Sequence, residues 1–194
     1  MLKKYFLLIL FILMSCTKID FNNGDVTDRF VILKGTHKDY SPKLDAMPQY
    51  VINNHSVEFD YMIDDNILAA NNKNGISKIY GFSEGHHQQN SSARLGFIVI
   101  DSIISLYTYC YVNGVSPQQN PAGQRKYIGT IVPDVWYHCR IYRSNGYYIF
   151  VQDYNTTVSV LAGTAYDWGY ILHPYIGGNF TLNKNVIFYI KHKY

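Results

Sequence analysis

The stretch IYGFSEGHHQQNSSARLGF, residues 79–97, gathers His86, His87, Gln88, Gln89, Asn90 and Arg94 into one short run. All of these side chains donate or accept hydrogen bonds. The planar guanidinium fork of an arginine suits acidic or hydroxyl-rich ligands. The second half of the stretch, SARLGFIVI, alternates like a strand, so successive side chains point to opposite faces. Ala93, Leu95, Phe97 and Val99 share one face and are apolar. Ser92, Arg94, Gly96 and Ile98 share the other. The first face belongs to a core, and Arg94 points onto the open face beside the His-Gln loop. Two readings stay open: a ligand-contacting patch, or an arginine tied to a carboxylate on the sheet surface.

A second candidate is YTYCY, which puts Tyr107, Tyr109 and Tyr111 on one face and Thr108 and Cys110 on the other. If Cys110 is core, the three tyrosines line an open face. A tyrosine offers a flat apolar ring with a hydroxyl at its edge. That chemistry matches the C–H faces and hydroxyls of sugar rings, and the chain carries 19 tyrosines against 10 phenylalanines and 2 tryptophans. Tyrosine is also simply a good strand former, and that reading has equal weight.

Other chemistries find less support. Glu58 and Asp60 lie two apart on a strand, roughly 6.5–7 Å along it. A retaining glycosidase needs its carboxyl groups closer, at about 5–5.5 Å. They read as the polar face of a strand whose inner face is Val57, Phe59, Tyr61 and Ile63. His86 and His87 are adjacent and would diverge on a strand. There is no His-x-His, no Cys-x-x-Cys and no acidic loop of calcium spacing, so no metal site and no cofactor is expected. No Gly-x-Ser-x-Gly elbow is present, and no catalytic residue is assigned.

The elements that position these residues are strands. Alternation runs through HSVEFDYMID, SKIYGF, ARLGFIVI, SLYTYCYV, KYIGTIV, WYHCRIYR, GYYIFVQD and NVIFYIKH, which are rich in β-branched and aromatic residues. Turn signals such as NNKNG, VNGVSPQQNPAG, VPD, RSNG and GGN separate them. Roughly ten to twelve short strands at this spacing predict an all-β sandwich or barrel. DDNILAANN alone has room for a turn of helix. If residues 103–112, 126–132 and 136–143 form a meander, Cys110 and Cys139 sit two strands apart, roughly 9–10 Å. A disulfide tolerates at most about 7 Å between Cα atoms, so two buried free thiols are expected.

The N-terminus, MLKKYFLLILFILMSC, has a basic pair and then an apolar run too short to span a bilayer, which needs about 20 residues. Its end, LMSC, resembles the lipobox of bacterial lipoproteins, although Met14 departs from the usual small or branched residue. The resemblance implies removal of residues 1–15, acylation of Cys16, and a lipid-anchored protein of the cell envelope, periplasmic or at the cell surface. Residues 17–28 are polar and aperiodic, so 16–28 reads as a tether and 29–194 as the folded domain. The chain has 17 Lys+Arg and 14 Asp+Glu; without Lys3 and Lys4 this becomes 15 against 14, a formal charge of +1. That balance offers no footprint for nucleic acid.

Two segments carry a further resemblance. VPDVWYHCRIYRSNGYYIFVQD resembles the hairpin of concanavalin A-like domains, in which a Trp opens a strand and a second strand returns after a turn. YILHPYIGGNFTLNKNVIFYIKHKY resembles their closing segment, and HSVEFDYMI one of their early strands. The run HHQQNSSAR resembles HHQ-NSAR-like segments of uncharacterised secreted Bacteroidetes proteins of this fold. The resemblance implies a two-sheet antiparallel jelly roll, shared by lectins, laminin G-like modules, glucanases and alginate lyases. Laminarinase-like members carry a Glu-x-Asp-x-(x)-Glu strand; Glu58 and Asp60 match its first two acids, and Met62 and Ile63 stand where the third belongs. Alginate lyase-like members use Tyr, His, Arg and Gln. Those residue types are present here, including Arg140, but the Arg-x-Glu-x-Arg and Gln-x-His patterns are not.

The expected function is non-catalytic binding of a glycan or surface polymer, with His86, His87, Gln88, Asn90, Arg94, Tyr107, Tyr109 and Tyr111 as the contact residues. The alternatives are a polysaccharide-degrading lyase or hydrolase, and a structural or adhesive module whose partner is another protein.

Overall fold

The strand Ser56–Ile63 (β3) shows how sequence pattern becomes architecture. Its residues alternate between half-exposed and buried along its length, with Val57, Phe59, Tyr61 and Ile63 inward. In the computed structural model, which describes residues 27–40, 50–52, 55–70, 75–178 and 182–193, β3 belongs to one of two six-stranded antiparallel sheets. The remaining strands are β1 (Thr27–Ile32), β2 (Tyr50–Ile52), β4 (Ser77–Glu84), β5 (Ser91–Ile100), β6 (Ile103–Tyr111), β7 (Tyr127–Ile131), β8 (Tyr137–Ser144), β9 (Tyr147–Gln152), β10 (Thr156–Leu161), β11 (Trp168–Leu172) and β12 (Val186–Lys193). The first sheet runs β1-β12-β3-β8-β9-β10 and the second β2-β11-β4-β5-β6-β7. This is a β-sandwich, as the strand pattern predicts, and it is the jelly roll that the family resemblance implies. DDNILAANN supplies a 3-10 turn over Asp65–Ala70, and a one-turn helix, Pro121–Gln124, capped by Asn120, sits in the long Pro- and Asn-containing connection.

The core lies between the sheets. Phe59, Tyr61, Phe150, Phe188 and Ile190 come from the first sheet, and Tyr80, Phe82, Leu95, Phe97 and Leu106 from the second. Hairpin turns fix the register. Asn145 and Gly146 take φ of 49° and 77° between Ser144 and Tyr147, as a two-residue turn with the twist of the flanking strands requires.

Cys110 and Cys139 are buried and free. The meander that motivated this expectation is not what forms. β6 belongs to the second sheet and β8 to the first, so the two thiols enter the core from opposite layers. The chain crosses between layers after β7, a step no local pattern records.

A second correction concerns the tether. Thr27 and Asp28 are the first two residues of β1 and pair with Lys191 and Ile190 of β12. Asp28 is buried and its carboxylate lies 2.5 Å from His192 Nε2, a partner 164 residues away and invisible to a local reading. Cys16 and the apolar N-terminal run lie outside the described residues.

Candidate functional site: the open face of the second sheet

β5 and β6 build the centre of the site. Arg94 stands opposite Tyr109, Ser92 opposite Tyr111, and Gly96 opposite Tyr107. All six therefore share the face turned away from the core, and Ala93, Leu95, Phe97 and Cys110 fill the other side. On the flanking β4, Gly81 pairs with Arg94 and Lys78 with Gly96. A bulge at Ile79 breaks the alternation there, so Ile79 and Tyr80 are both core residues while Lys78 belongs to the open face.

Arg94 is not the exposed arginine that strand parity implied. It is 7% exposed. Its NH2 group donates to the carbonyl oxygen of His173, and its Nε has no hydrogen-bond partner among the described residues. Gly81 makes this close approach possible: a Cβ at that position would run into the Ala93 carbonyl and come within 2.7 Å of Arg94 Cα. Neither of the two readings left open for Arg94 describes this arrangement fully. No carboxylate pairs with it among the described residues.

Lys78 was missed by sequence reading, yet it shares this face with Arg94 and feels its charge. It is 8% exposed. Its ammonium lies 4.4 Å from the ring centroid of Tyr109 and 5.1 Å from that of Tyr175. Two backbone hydrogen bonds, 2.8 and 2.9 Å, clamp Tyr175 to Lys78. Gly177 leaves room for the amine, since a Cβ there would lie 2.9 Å from Nζ. Burial, with the Arg94 charge adding to it, lowers the Lys78 pKa to about 7. Burial also lowers that of Arg94 to about 10, opposed by the hydroxyls of Tyr109, Tyr170, Tyr175 and Tyr111.

Around these two cations sits a tyrosine frame. Gln118 Nε2 donates to Tyr109 Oη at 3.0 Å, and the Tyr109 and Tyr111 rings meet edge-on at 5.9 Å. Burial and the adjoining Tyr109 hydroxyl push the Tyr111 hydroxyl up to about 12. The Tyr107 ring packs against Tyr127. Beside Arg94 opens a groove of about 280 Å³, lined by Gln88, Tyr170, Leu172, His173 and Tyr175 from one wall and by Lys38 and Asp39 from the segment 33–40. His37 holds that segment in place, with Nδ1 2.7 Å from the Ile176 carbonyl and its ring stacked on Tyr175 at 5.6 Å.

Of the loop residues singled out in the sequence, the groove takes in only Gln88. His86, His87 and Asn90 are exposed. The His86 ring turns onto Trp168 at 3.9 Å, and the His87 carbonyl and Asn90 backbone close the turn on each other. The parity signal located Arg94, Tyr109 and Tyr111. The bulge hid Lys78, and Tyr175 and His173 lie in an irregular segment where parity gives no guidance. A lysine inside the otherwise apolar SKIYGF was the one available signal.

The paired carboxylates are elsewhere. Glu58 and Asp60 lie on the outer face of the first sheet, on the far side of the sandwich. His138 bridges them, with Nδ1 2.8 Å from Asp60 Oδ1 and Nε2 3.6 Å from Glu58 Oε1. Arg140 and Lys193 complete the network at 3.5 and 3.2 Å. Burial works against the Asp60 charge, but hydrogen bonds from His138 and Lys193 prevail and hold its pKa below the usual value. Among the described residues no cluster of three or more His, Cys, Asp or Glu side chains could hold a metal ion.

No protein-family model matches this sequence, and no curated protein matches it. Solved structures do match in fold. A Crh5 transglycosylase in complex with NAG superposes with a TM-score of 0.55 at 9% identity, over 88% of this chain and 74% of its own. The alginate lyase vAL-1 from Chlorella virus gives 0.50 at 14% identity, over 88% and 84%. The PL7 alginate lyase AlyA1 from Zobellia galactanivorans gives 0.48 at 13% identity, over 75% of this chain; the chain spans 65% of that enzyme's length. At these identities the likeness establishes the sandwich fold, of concanavalin A-like type, and nothing about chemistry.

Proposed function

We propose that this chain is a cell-envelope glycan-binding protein whose working surface is the open face of the second sheet, and that its ligand is an acidic polysaccharide. One observation carries the reading: Lys78 and Arg94 are two neighbouring buried cations that form no ion pair with any described residue. Burying a charge without a partner is costly, and proteins tolerate it chiefly where a ligand or a pKa shift resolves it. Here Arg94 lines a groove walled in part by Tyr170 and Tyr175, and Lys78 packs behind Tyr175; tyrosine rings and hydroxyls suit the faces and edges of sugars. Solved neighbours of the same fold are described as an alginate lyase and a transglycosylase in complex with NAG, which agrees with a glycan ligand without assigning one. The lipobox-like LMSC supports placement at the envelope through a lipid on Cys16.

The test is an array of neutral, carboxylated and sulfated glycans probed with the folded domain, followed by calorimetric titration of the hits. Binding confined to acidic glycans and lost in Arg94→Gln supports the proposal. Equal binding of neutral glycans, or none at all, overturns it.

A second reading, a lyase, has its own specific support. An amine near neutrality beside an arginine could take a proton from the carbon next to an Arg-bound carboxylate. Ultraviolet absorbance of unsaturated products from acidic polysaccharides, compared between wild type and Lys78→Ala, separates catalysis from binding.

A further inference from the structure

We infer that ligand capture at this face is proton-linked: Lys78 takes up a proton as an anionic group docks between it and Arg94. This rests on the acidic-ligand reading above and adds a regulatory property to the same site.

The geometry supplies the argument. The Lys78 amine is wedged between the rings of Tyr109 and Tyr175. Its neighbour across the ladder on β5 is Gly96, which contributes no charge, and the next residue along that face is Arg94. β6 brings Tyr107, Tyr109 and Tyr111 to the same face. The segment after β11 brings Tyr175, backed by His37, and Gly177. β11 itself adds Tyr170 to the groove wall. Asp39 and Lys38 also line the groove, and Asp39 Oδ2 accepts from Val31 N at 2.9 Å. The amine thus faces one fixed positive charge, a set of hydroxyls and no carboxylate among the described residues.

Two like charges in a poorly solvated site repel, and one of them resolves the conflict by losing its proton. Arginine does not, so lysine does. The lowering of Lys78 to about 7 agrees with this. An anion reverses the balance. It pairs with Arg94, cancels the repulsion and supplies the partner that makes the ammonium favourable again. Since the charged form of Lys78 binds better, binding and protonation are linked, and each favours the other equally. Affinity for an anion therefore falls toward tenfold per pH unit above about 7, until the raised pKa of the complex is reached. The device lets a weakly acidic environment load the site and an alkaline one release it.

The experiment uses the folded domain with isotope-labelled lysine and arginine, titrated by NMR from pH 5 to 11, alone and with sulfate or oligogalacturonate as the anionic probe. Without probe, one lysine titrates near neutrality, and Lys78→Met removes that signal. With either probe its midpoint rises by one unit or more. Lys78→Arg, whose charge does not titrate in this range, loses the pH dependence of affinity. If the probes perturb the Lys78 and Arg94 signals but leave the midpoint in place, the proton linkage is wrong and the acidic site stands. If neither probe perturbs those signals at any pH, both readings fall.

Discussion

Arg94 and Tyr109 face each other directly across β5 and β6, and between them they turn an ordinary strand pair into a charged, aromatic floor. The pairing has structural consequences on both sides. Tyr109 is fixed by Gln118 and offers its ring to Lys78. Arg94 is fixed by the His173 carbonyl, and its Nε is buried with no acceptor among the described residues. Stiff aromatic and guanidinium groups held this way lose little freedom when a ligand arrives, which is the condition for efficient recognition.

The first prediction concerns Arg94. Arg94→Gln keeps much of the volume and removes the charge, and affinity for an acidic glycan should fall by roughly 1.5–3 kcal/mol, as expected for hydrogen bonds to charged groups. Stability should change less, because loss of the bond to His173 is offset by removal of a buried charge without an ionic partner among the described residues. Calorimetry paired with a thermal melt checks both. A large fall in melting temperature with unchanged affinity would make Arg94 a structural residue only.

The strands and their parity were legible because half-buried strands write a period of two into the sequence. Ala93, Leu95, Phe97 and Cys110 declared the core, and so Arg94, Tyr109 and Tyr111 declared the open face. What stayed hidden was non-local or irregular. The bulge at Ile79 shifts Lys78 out of the simple alternation. The switch of layers after β7 separates Cys110 from Cys139. His86 and His87 have the residue types of a chemical site, but the turn that presents them packs one ring on Trp168 and leaves both outside the groove. Residue type alone therefore pointed to a loop outside the groove, while strand parity pointed to Arg94, which lines it.

A second prediction tests the far side of the sandwich. Glu58→Gln should leave ligand binding, and any polysaccharide-degrading activity, unchanged. Glu58 is about a third exposed and its ion pair with Arg140 is long, so stability should shift by less than about 1 kcal/mol. A loss of activity of several orders of magnitude, with an intact circular dichroism spectrum, would place catalysis on the outer face of the first sheet.

The third prediction addresses the anchor. Metabolic labelling with a palmitate analogue should mark the wild-type protein and not Cys16→Ser, and the variant should leave the membrane fraction. Label that survives the substitution removes the lipoprotein proposal.

The last prediction follows from Lys78 in the absence of any ligand, and its sign can be worked out. Folding lowers the Lys78 pKa from 10.5 to about 7, so between these values the unfolded chain binds more protons than the folded one. Stability must then rise with pH across that window. Below about 7 both states are protonated and the full cost of the buried ammonium is present; above 10.5 both are neutral and the cost is gone. This is opposite in direction to the effect of a lysine gaining a carboxylate partner. Denaturant unfolding at pH 6.5, 8 and 9.5 should show a contribution that increases with pH in the wild type. Lys78→Met should lack that increase and be the more stable protein at pH 6.5, since a similar apolar shape replaces a buried charge. Arg94→Gln should shrink the increase without removing it, because burial is the larger cause and the Arg94 charge the smaller. Parallel pH profiles for wild type and Lys78→Met would mean that the amine is well solvated in solution, and that the pair of buried cations does not define the site.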